Sequence, residues 1–214
     1  MTRIIHLTPR GQHADAIAHA ARILRRGGLI IFPTETLYGL GARASSQKAL
    51  SSLVRAKHRP RGKGFIVLIA SPGDLKKLVH DIPVSAKKLM RTFWPGPLTL
   101  VFKKRKGISA ALTGNQHTIA IRLTSHPIAR ALIRGLGSPI TAPSANVSGH
   151  PAPRTVGAAV RDLSHARGIV LALDAGRSPE ALPSTIVDVS GDTLHILRVG
   201  TITKKHIMGV LKKR

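Results

Sequence analysis

Apolar positions along the chain keep two rhythms, one of helical period and one of short unbroken runs. Between His13 and Arg26, Ile17, Ala20, Ala21 and Leu24 fall on one face of a helix, and Gly27-Gly28 stop it. Leu29–Phe32 follows as an apolar run of strand length, ended by Pro33. Ser46 to Lys57 predicts a second helix with Leu50, Leu53 and Val54 inward. Phe65–Ile69 reads as a strand, Ser71-Pro72 as an N-cap with proline at the first helical position of a short helix, and Ser85–Phe93 as a helix. Strands are expected at Leu98–Phe102 and Thr118–Leu123, then a helix from Pro127 to Leu136 capped by Ser125, and a short strand at Ile140–Ala142. Thr155–Leu163 is helical in pattern. Ile169–Leu173, Thr185–Val189 and Leu194–Val199 are strand-like, and Thr203–Lys213 is a basic amphipathic helix. Interleaving of the two types predicts an α/β fold. The run of strands near the end predicts one mixed parallel/antiparallel sheet flanked by helices, not a doubly wound one. The 214 residues suit a single domain, with its core at about residues 13–200.

Composition narrows the chemistry. Thirty-four Lys and Arg oppose nine Asp and Glu, a net charge of +25, while 43% hydrophobic residues argue against a disordered basic tail. No carboxylate lies between Asp81 and Asp162, a stretch holding twelve Lys or Arg. Glycosidase and two-metal chemistry need clustered carboxylates and are disfavoured. The charge favours polyanionic partners, nucleotide phosphates or RNA; solubility alone is the alternative reading of it. Cysteine is absent, which excludes disulfides, thiol nucleophiles and Cys-ligated metals. No apolar run approaches the ~18 residues of a membrane span. Met1–Gln12 lacks a secretory pattern, and a soluble cytoplasmic protein is expected.

Several segments carry candidate chemistry. Pro33-Thr-Glu-Thr-Leu-Tyr-Gly-Leu-Gly41 reads as a loop at the C-terminal end of a strand, the edge where open α/β sheets bind ligands. Its glycines would let backbone approach a ligand; a tight turn with a capping threonine is the alternative. Gly39-x-Gly41-x-x-Ala44 mimics a dinucleotide fingerprint, but no acid stands ~20 residues on, so a nicotinamide or flavin role is rejected. Arg55, Lys57, Arg59, Arg61 and Lys63 crowd a loop containing Pro60, Gly62 and Gly64. In extended backbone Lys57 and Arg59 would share a face and hold a triphosphate; a solvated basic loop would have the same composition. Phe93-Trp-Pro-Gly-Pro-Leu-Thr99 reads as a packing anchor. Thr118, Ala120 and Arg122 alternate on one strand face, with Arg122 a candidate carboxylate or phosphate clamp or an edge arginine reaching solvent. Ser144 and Asn146 alternate after a strand as neutral donors and acceptors, or as part of an Asx-type turn. No Gly-x-Ser-x-Gly elbow supports a serine nucleophile.

In order, Pro33–Gly41, Lys57-His-Arg59-Pro60, Trp94–Thr99, Ala120-Ile-Arg122, Ser144-Ala-Asn146-Val-Ser148-Gly149, Ser184-Thr-Ile-Val-Asp188 and Arg198-Val-Gly200 resemble the motifs of the YrdC-like family of threonylcarbamoyl-AMP synthases. The chain is similar to its short, single-domain bacterial type. The resemblance implies a twisted sheet around a large basic cavity. It also implies a reaction in which L-threonine, bicarbonate and ATP give threonylcarbamoyl-adenylate and pyrophosphate. A separate threonylcarbamoyl transferase complex would then modify adenosine 37 of tRNA. By the same resemblance Lys57, Arg59, Ser144 and Asn146 form the catalytic set. Thr34, Thr36, Arg122 and Ser184 surround threonine, and Arg59, Lys63, Thr118, Ser144 and Arg198 contact ATP. Mg²⁺ would arrive on the ATP phosphates, with no protein metal site and no prosthetic group. Leu68 and Ala152 depart from residues common among relatives, a histidine near the threonine and a serine near the nucleotide. A non-catalytic RNA-binding protein is the competing expectation, although six aromatic residues are few for base stacking.

Overall fold

Leu29–Phe32 has no polar side to turn to solvent, and all four of its side chains are buried, as in a strand covered on both faces. The computed structural model describes residues 2–8, 11, 13–60, 62–179 and 182–212; Arg61 and Lys213, named above, lie outside them. In chain order the elements are β1 (Arg3–His6), α1 (Ala14–Arg25), β2 (Leu29–Phe32), β3 (Gly39–Gly41), α2 (Gln47–Ala56), β4 (Ile66–Ile69), α3 (Pro72–Leu75) and α4 (Val84–Phe93). They continue as β5 (Leu98–Lys103), α5 (Ala110–Thr113), β6 (Thr118–Leu123), α6 (Pro127–Leu136), β7 (Ile140–Thr141) and α7 (Val156–Asp162). The chain closes with β8 (Ile169–Asp174), β9 (Thr185–Asp188), β10 (His195–Arg198) and α8 (Lys204–Lys212).

The strands divide between two mixed sheets, where one was expected. The smaller has the order β1-β8-β2-β3, the larger β10-β9-β5-β6-β4-β7. Parallel pairs (β1–β8, β2–β8, β4–β6, β5–β9) coexist with antiparallel ones (β2–β3, β5–β6, β4–β7, β9–β10). The smaller sheet buries Ile30, Phe32, Leu171 and Leu173 against α1 and α6, where Ala20 and Ala21 meet Ala129, Leu132 and Ile133. Each large apolar side chain buried in this way contributes roughly 1.5–3 kcal/mol. One face of the larger sheet, with Val67, Leu100, Ile121 and Val187, joins the main core. The sheets are laced by main-chain bonds between β3 with its flanks and the β7 segment: Leu40 N to Pro143 O (2.9 Å), Thr141 N to Ala42 O (2.9 Å) and Ala145 N to Tyr38 O (2.9 Å).

Most predicted elements are present, and the differences have local causes. Gly39–Gly41 is a strand inside the expected loop. Its glycines admit the ring of Phe32, which a Cβ at Gly41 would meet at 3.0 Å, and not a ligand. Val54 turns outward, 37% exposed. His126, not Ser125, occupies the N-cap of α6, and the Thr124 hydroxyl accepts the His126 N–H. Arg3–His6 and Ala110–Thr113 are additional short elements.

The turn before β9 and the segment after β10 touch closely. The Thr185 hydroxyl accepts the N–H groups of Gly200 and Ile202, and a Cβ at Gly200 would fall 2.0 Å from Pro183 O. Gly200→Ala is therefore expected to lower stability by roughly 2–3 kcal/mol in urea unfolding. Gly209→Ala, in open space on α8, is expected to raise it by up to about 1 kcal/mol.

Candidate active site

The second face of the larger sheet is covered in part, where Leu68 and Ile140 pack in the core that holds α6, and the rest of it is open. Ile66, Val101, Ala120, Arg122 and Ile186 floor a cavity of about 390 Å³, and Thr34, Thr36 and Tyr38 from the smaller sheet's side wall it. Ala120 stands in register between Ile66 and Val101, and its single methyl leaves the floor low. A second space of about 280 Å³ adjoins the first and is bordered by Lys57, Lys63, Asn146 and His150. Arg59, Ser144 and Ala152 border both.

At one end of the larger space Arg122 projects from β6, 3% exposed. Its Nη1 donates to Thr36 Oγ1 (3.0 Å), and its Nε lies 3.6 Å from Glu35 Oε1. Thr34 Oγ1 lies 3.1 Å from Thr36 Oγ1 and donates to Leu37 O (2.6 Å). Ser184, just before β9, pairs its hydroxyl with Thr99 at 2.8 Å. Arg198, at the end of β10, donates from Nε and Nη2 to Ser184 O at 3.1 and 2.9 Å. Burial lowers the pKa of Arg122 and Arg198, although both stay charged. Tyr38 bonds Gly176 O at 2.6 Å and is pushed up to about 12 by burial, so it serves as a strut.

The second space is organised by Lys57. The lysine caps the C-terminus of α2 and is 2% exposed. Its ammonium faces three acceptors: Ser144 O (2.6 Å), Asn146 O and Asn146 Oδ1 (3.4 Å). Burial, then the charge of Arg59, lowers Lys57 to about 8 against the pull of Asp162. Ser144 Oγ donates to Asn146 Oδ1 (2.5 Å), and Asn146 Nδ2 donates to His150 O (2.6 Å). Asp162 closes the loop by accepting Val147 N–H (2.7 Å) and meeting His150 Nδ1 at 2.6 Å. Arg59 donates to the carbonyls of Lys63 and Gly64 and stacks 4.7 Å over Phe65.

Ten of the eleven residues singled out in the sequence as catalytic or as threonine or nucleotide contacts border one or both spaces: Thr34, Thr36, Lys57, Arg59, Lys63, Arg122, Ser144, Asn146, Ser184 and Arg198. Thr118 shares the strand face of Ala120 but borders neither space. Lys57 and Arg59 do not alternate along extended backbone: Lys57 is helical and His58 has φ 46°, a left-handed kink that turns Arg59 around it. Leu68 pairs with Arg122 in register yet packs in the smaller core. Glu35, Thr99 and Thr124 hold the site from behind; Glu35 and Thr99 lie in segments singled out above for other reasons, Thr124 in none, and nothing local ties Glu35 to Arg122.

A family model, Sua5_yciO_yrdC, described as telomere recombination, matches residues 22–200. The chain belongs to the Sua5/YciO/YrdC family. It is 43% identical over 197 residues to the threonylcarbamoyl-AMP synthase of Bacillus subtilis (strain 168), covering 91% of this chain and 56% of that protein. It is 38% identical over 167 residues to the threonylcarbamoyl-AMP synthase of Thiobacillus denitrificans, covering 78% of this chain and 87% of that one. Pyrococcus abyssi Sua5, solved in complex with L-threonine, superposes with a TM-score of 0.94 at 37% identity, covering 99% of this chain and 61% of that chain. The chain thus spans little more than half the length of the Bacillus and Pyrococcus members. No helix among the described residues is long and apolar enough to cross a membrane.

Lys57 gives this family member a signed pH response. Below about pH 8 folded and unfolded chains both hold the Lys57 proton, and the folded state bears its desolvation. Between about pH 8 and 10.5 the folded chain releases the proton while the unfolded chain keeps it, so this residue's contribution to stability rises with pH. Urea unfolding across that window is expected to show Lys57→Met lacking a rise of roughly 3 kcal/mol that the wild type has.

Proposed function

We propose that this chain is a threonylcarbamoyl-AMP synthase. It joins L-threonine, bicarbonate and ATP into threonylcarbamoyl-adenylate with release of pyrophosphate, a nucleotidyl transfer. The product then passes to a threonylcarbamoyl transferase complex that modifies position 37 of tRNA. The observation that carries the reading is the convergence of Arg59, Arg122, Ser144, Ser184 and Arg198, from five separate stretches of chain, on one cavity. Similarity to proteins named threonylcarbamoyl-AMP synthase, and to Pyrococcus abyssi Sua5 solved with L-threonine, supports it.

In this reading Arg122 takes the threonine carboxylate, with Thr34, Thr36 and Ser184 around the amino acid. Arg59, Lys63, Ser144 and Arg198 face the nucleotide. The threonine amine attacks bicarbonate with loss of water, or CO₂ with loss of a proton, and the resulting carbamate oxygen attacks the α-phosphorus and displaces pyrophosphate. Negative charge gathers where the cations already stand, so the site stabilises it without reorganising. Holding the substrates together supplies the rest. Mg²⁺ enters as part of the nucleotide substrate. Ser144 is a binding group here: its proton goes to Asn146 Oδ1, an amide oxygen that is no base.

Incubation with Mg-ATP, bicarbonate and L-threonine is expected to release pyrophosphate only when threonine is present; release no greater than in its absence overturns the proposal. Lys57→Ala and Arg59→Ala are each expected to lower turnover at least tenfold, about 1.4 kcal/mol of transition-state stabilisation. The net charge of +25 favours a second reading, RNA binding without catalysis. That reading requires RNA affinity falling steeply with salt and no threonine-dependent turnover.

A further inference from the structure

Three arginines border the larger cavity: Arg59, Arg122 and Arg198. Among the described residues the hydrogen-bond acceptors of Arg59 and Arg198 are peptide carbonyls and the Ser184 hydroxyl, with the Phe65 ring beneath Arg59. Of the three, Arg122 alone stands against a carboxylate among the described residues: Glu35, which is itself largely buried and does not border the cavity. Glu35 Oε2 accepts the Thr124 hydroxyl at 2.6 Å, which anchors the carboxylate from behind. Its Oε1 lies 3.6 Å from Arg122 Nε, and neither atom has a hydrogen-bond partner. The pair is thus an unclosed ion pair, not the bidentate fork the two groups can form. His126 feels the charges of both, and burial holds its ring below its ordinary pKa. Among the described residues Arg122 Nη2 has no protein hydrogen bond, while Nη1 is aimed by Thr36.

A guanidinium backed by a fixed carboxylate is a different receptor from one backed by carbonyls. The first is near neutral before a ligand arrives and still offers directional donors; the second keeps its full charge. A second anion at Arg122 is repelled by Glu35 in proportion to its own charge. A single carboxylate tolerates that repulsion far better than a polyphosphate does, and repulsion of the wrong ligand is a recognised source of specificity. Resting on the synthase reading above, we propose that Glu35 is a positioning residue that sets specificity. It fixes the Arg122 guanidinium and reserves it for the monoanionic carboxylate of the amino acid, diverting polyphosphate to Arg59 and Arg198.

Isothermal titration calorimetry with L-threonine, alone and in the presence of tripolyphosphate, tests this without requiring turnover. The wild type is expected to bind threonine with little competition from tripolyphosphate. Glu35→Gln keeps the shape and removes the charge; it is expected to weaken threonine binding about tenfold and to let tripolyphosphate displace threonine. Glu35→Asp is expected to restore resistance to tripolyphosphate while recovering part of the affinity. Thr124→Val keeps the charge but frees the anchor, and is expected to weaken threonine about threefold without admitting tripolyphosphate. A merely structural Glu35 would shift melting temperature and leave the competition unchanged. Wild-type threonine binding and competition in Glu35→Gln overturn this inference alone; failure of the wild type to bind threonine overturns it together with the functional reading. Should Glu35→Gln not fold, displacement of threonine by tripolyphosphate in Thr124→Val equal to that in the wild type supports the charge argument, and increased displacement overturns it.

Discussion

Positive charge taken out of water with almost no acid beside it is the constraint around which this molecule is arranged. Lys57, Arg59, Arg122 and Arg198 all have their pKa lowered, chiefly by desolvation. Removing such groups from solvent is expensive unless their hydrogens are satisfied. Peptide carbonyls satisfy most of them here: those of Ser144 and Asn146 for Lys57, of Lys63 and Gly64 for Arg59, and of Ser184 for Arg198. A carbonyl orients a cation without cancelling it, so the field persists in the cavity. The same bonds fix the backbone of the loops that carry Ser144, Asn146 and Ser184, so the electrostatics of the site and the shape of its loops come from one set of contacts.

The larger sheet makes this possible by having two kinds of face. Val67, Leu100, Ile121 and Val187 face the main core, while their neighbours Ile66, Val101, Ala120 and Ile186 floor the cavity. Side-chain alternation means that one strand, β6, both anchors the core through Ile119 and Ile121 and presents Arg122 to the site. Arg122 is therefore placed as firmly as the sheet, and any group that must hold a ligand benefits from a rigid support.

Much of this was legible in the chain. Element positions followed from apolar period and from turn residues, as at Leu29–Phe32 and Gln47–Ala56. The ordered motifs pointed to the loops that meet at the cavity. What stayed hidden was non-local. Division into two sheets depends on which strands pair across long crossovers, and β3 lies in a Gly-Leu-Gly that has no strand propensity and is held by its neighbours. Lys57 and Arg59 were misjudged in their backbone because a left-handed His58 leaves no mark in the residue pattern. Glu35 stood in plain view beside two threonines. Its link to Arg122 and Thr124 exists only once the two sheets are brought together.

That lacing has a mechanical consequence. Leu40, Thr141 and Ala145 stitch the two walls through main-chain bonds at the base of the cavity, and a clamshell hinge would have to break several of them at once. The hollow is therefore braced against splaying, and its looser material stands at the margin, where Leu197 is 59% exposed.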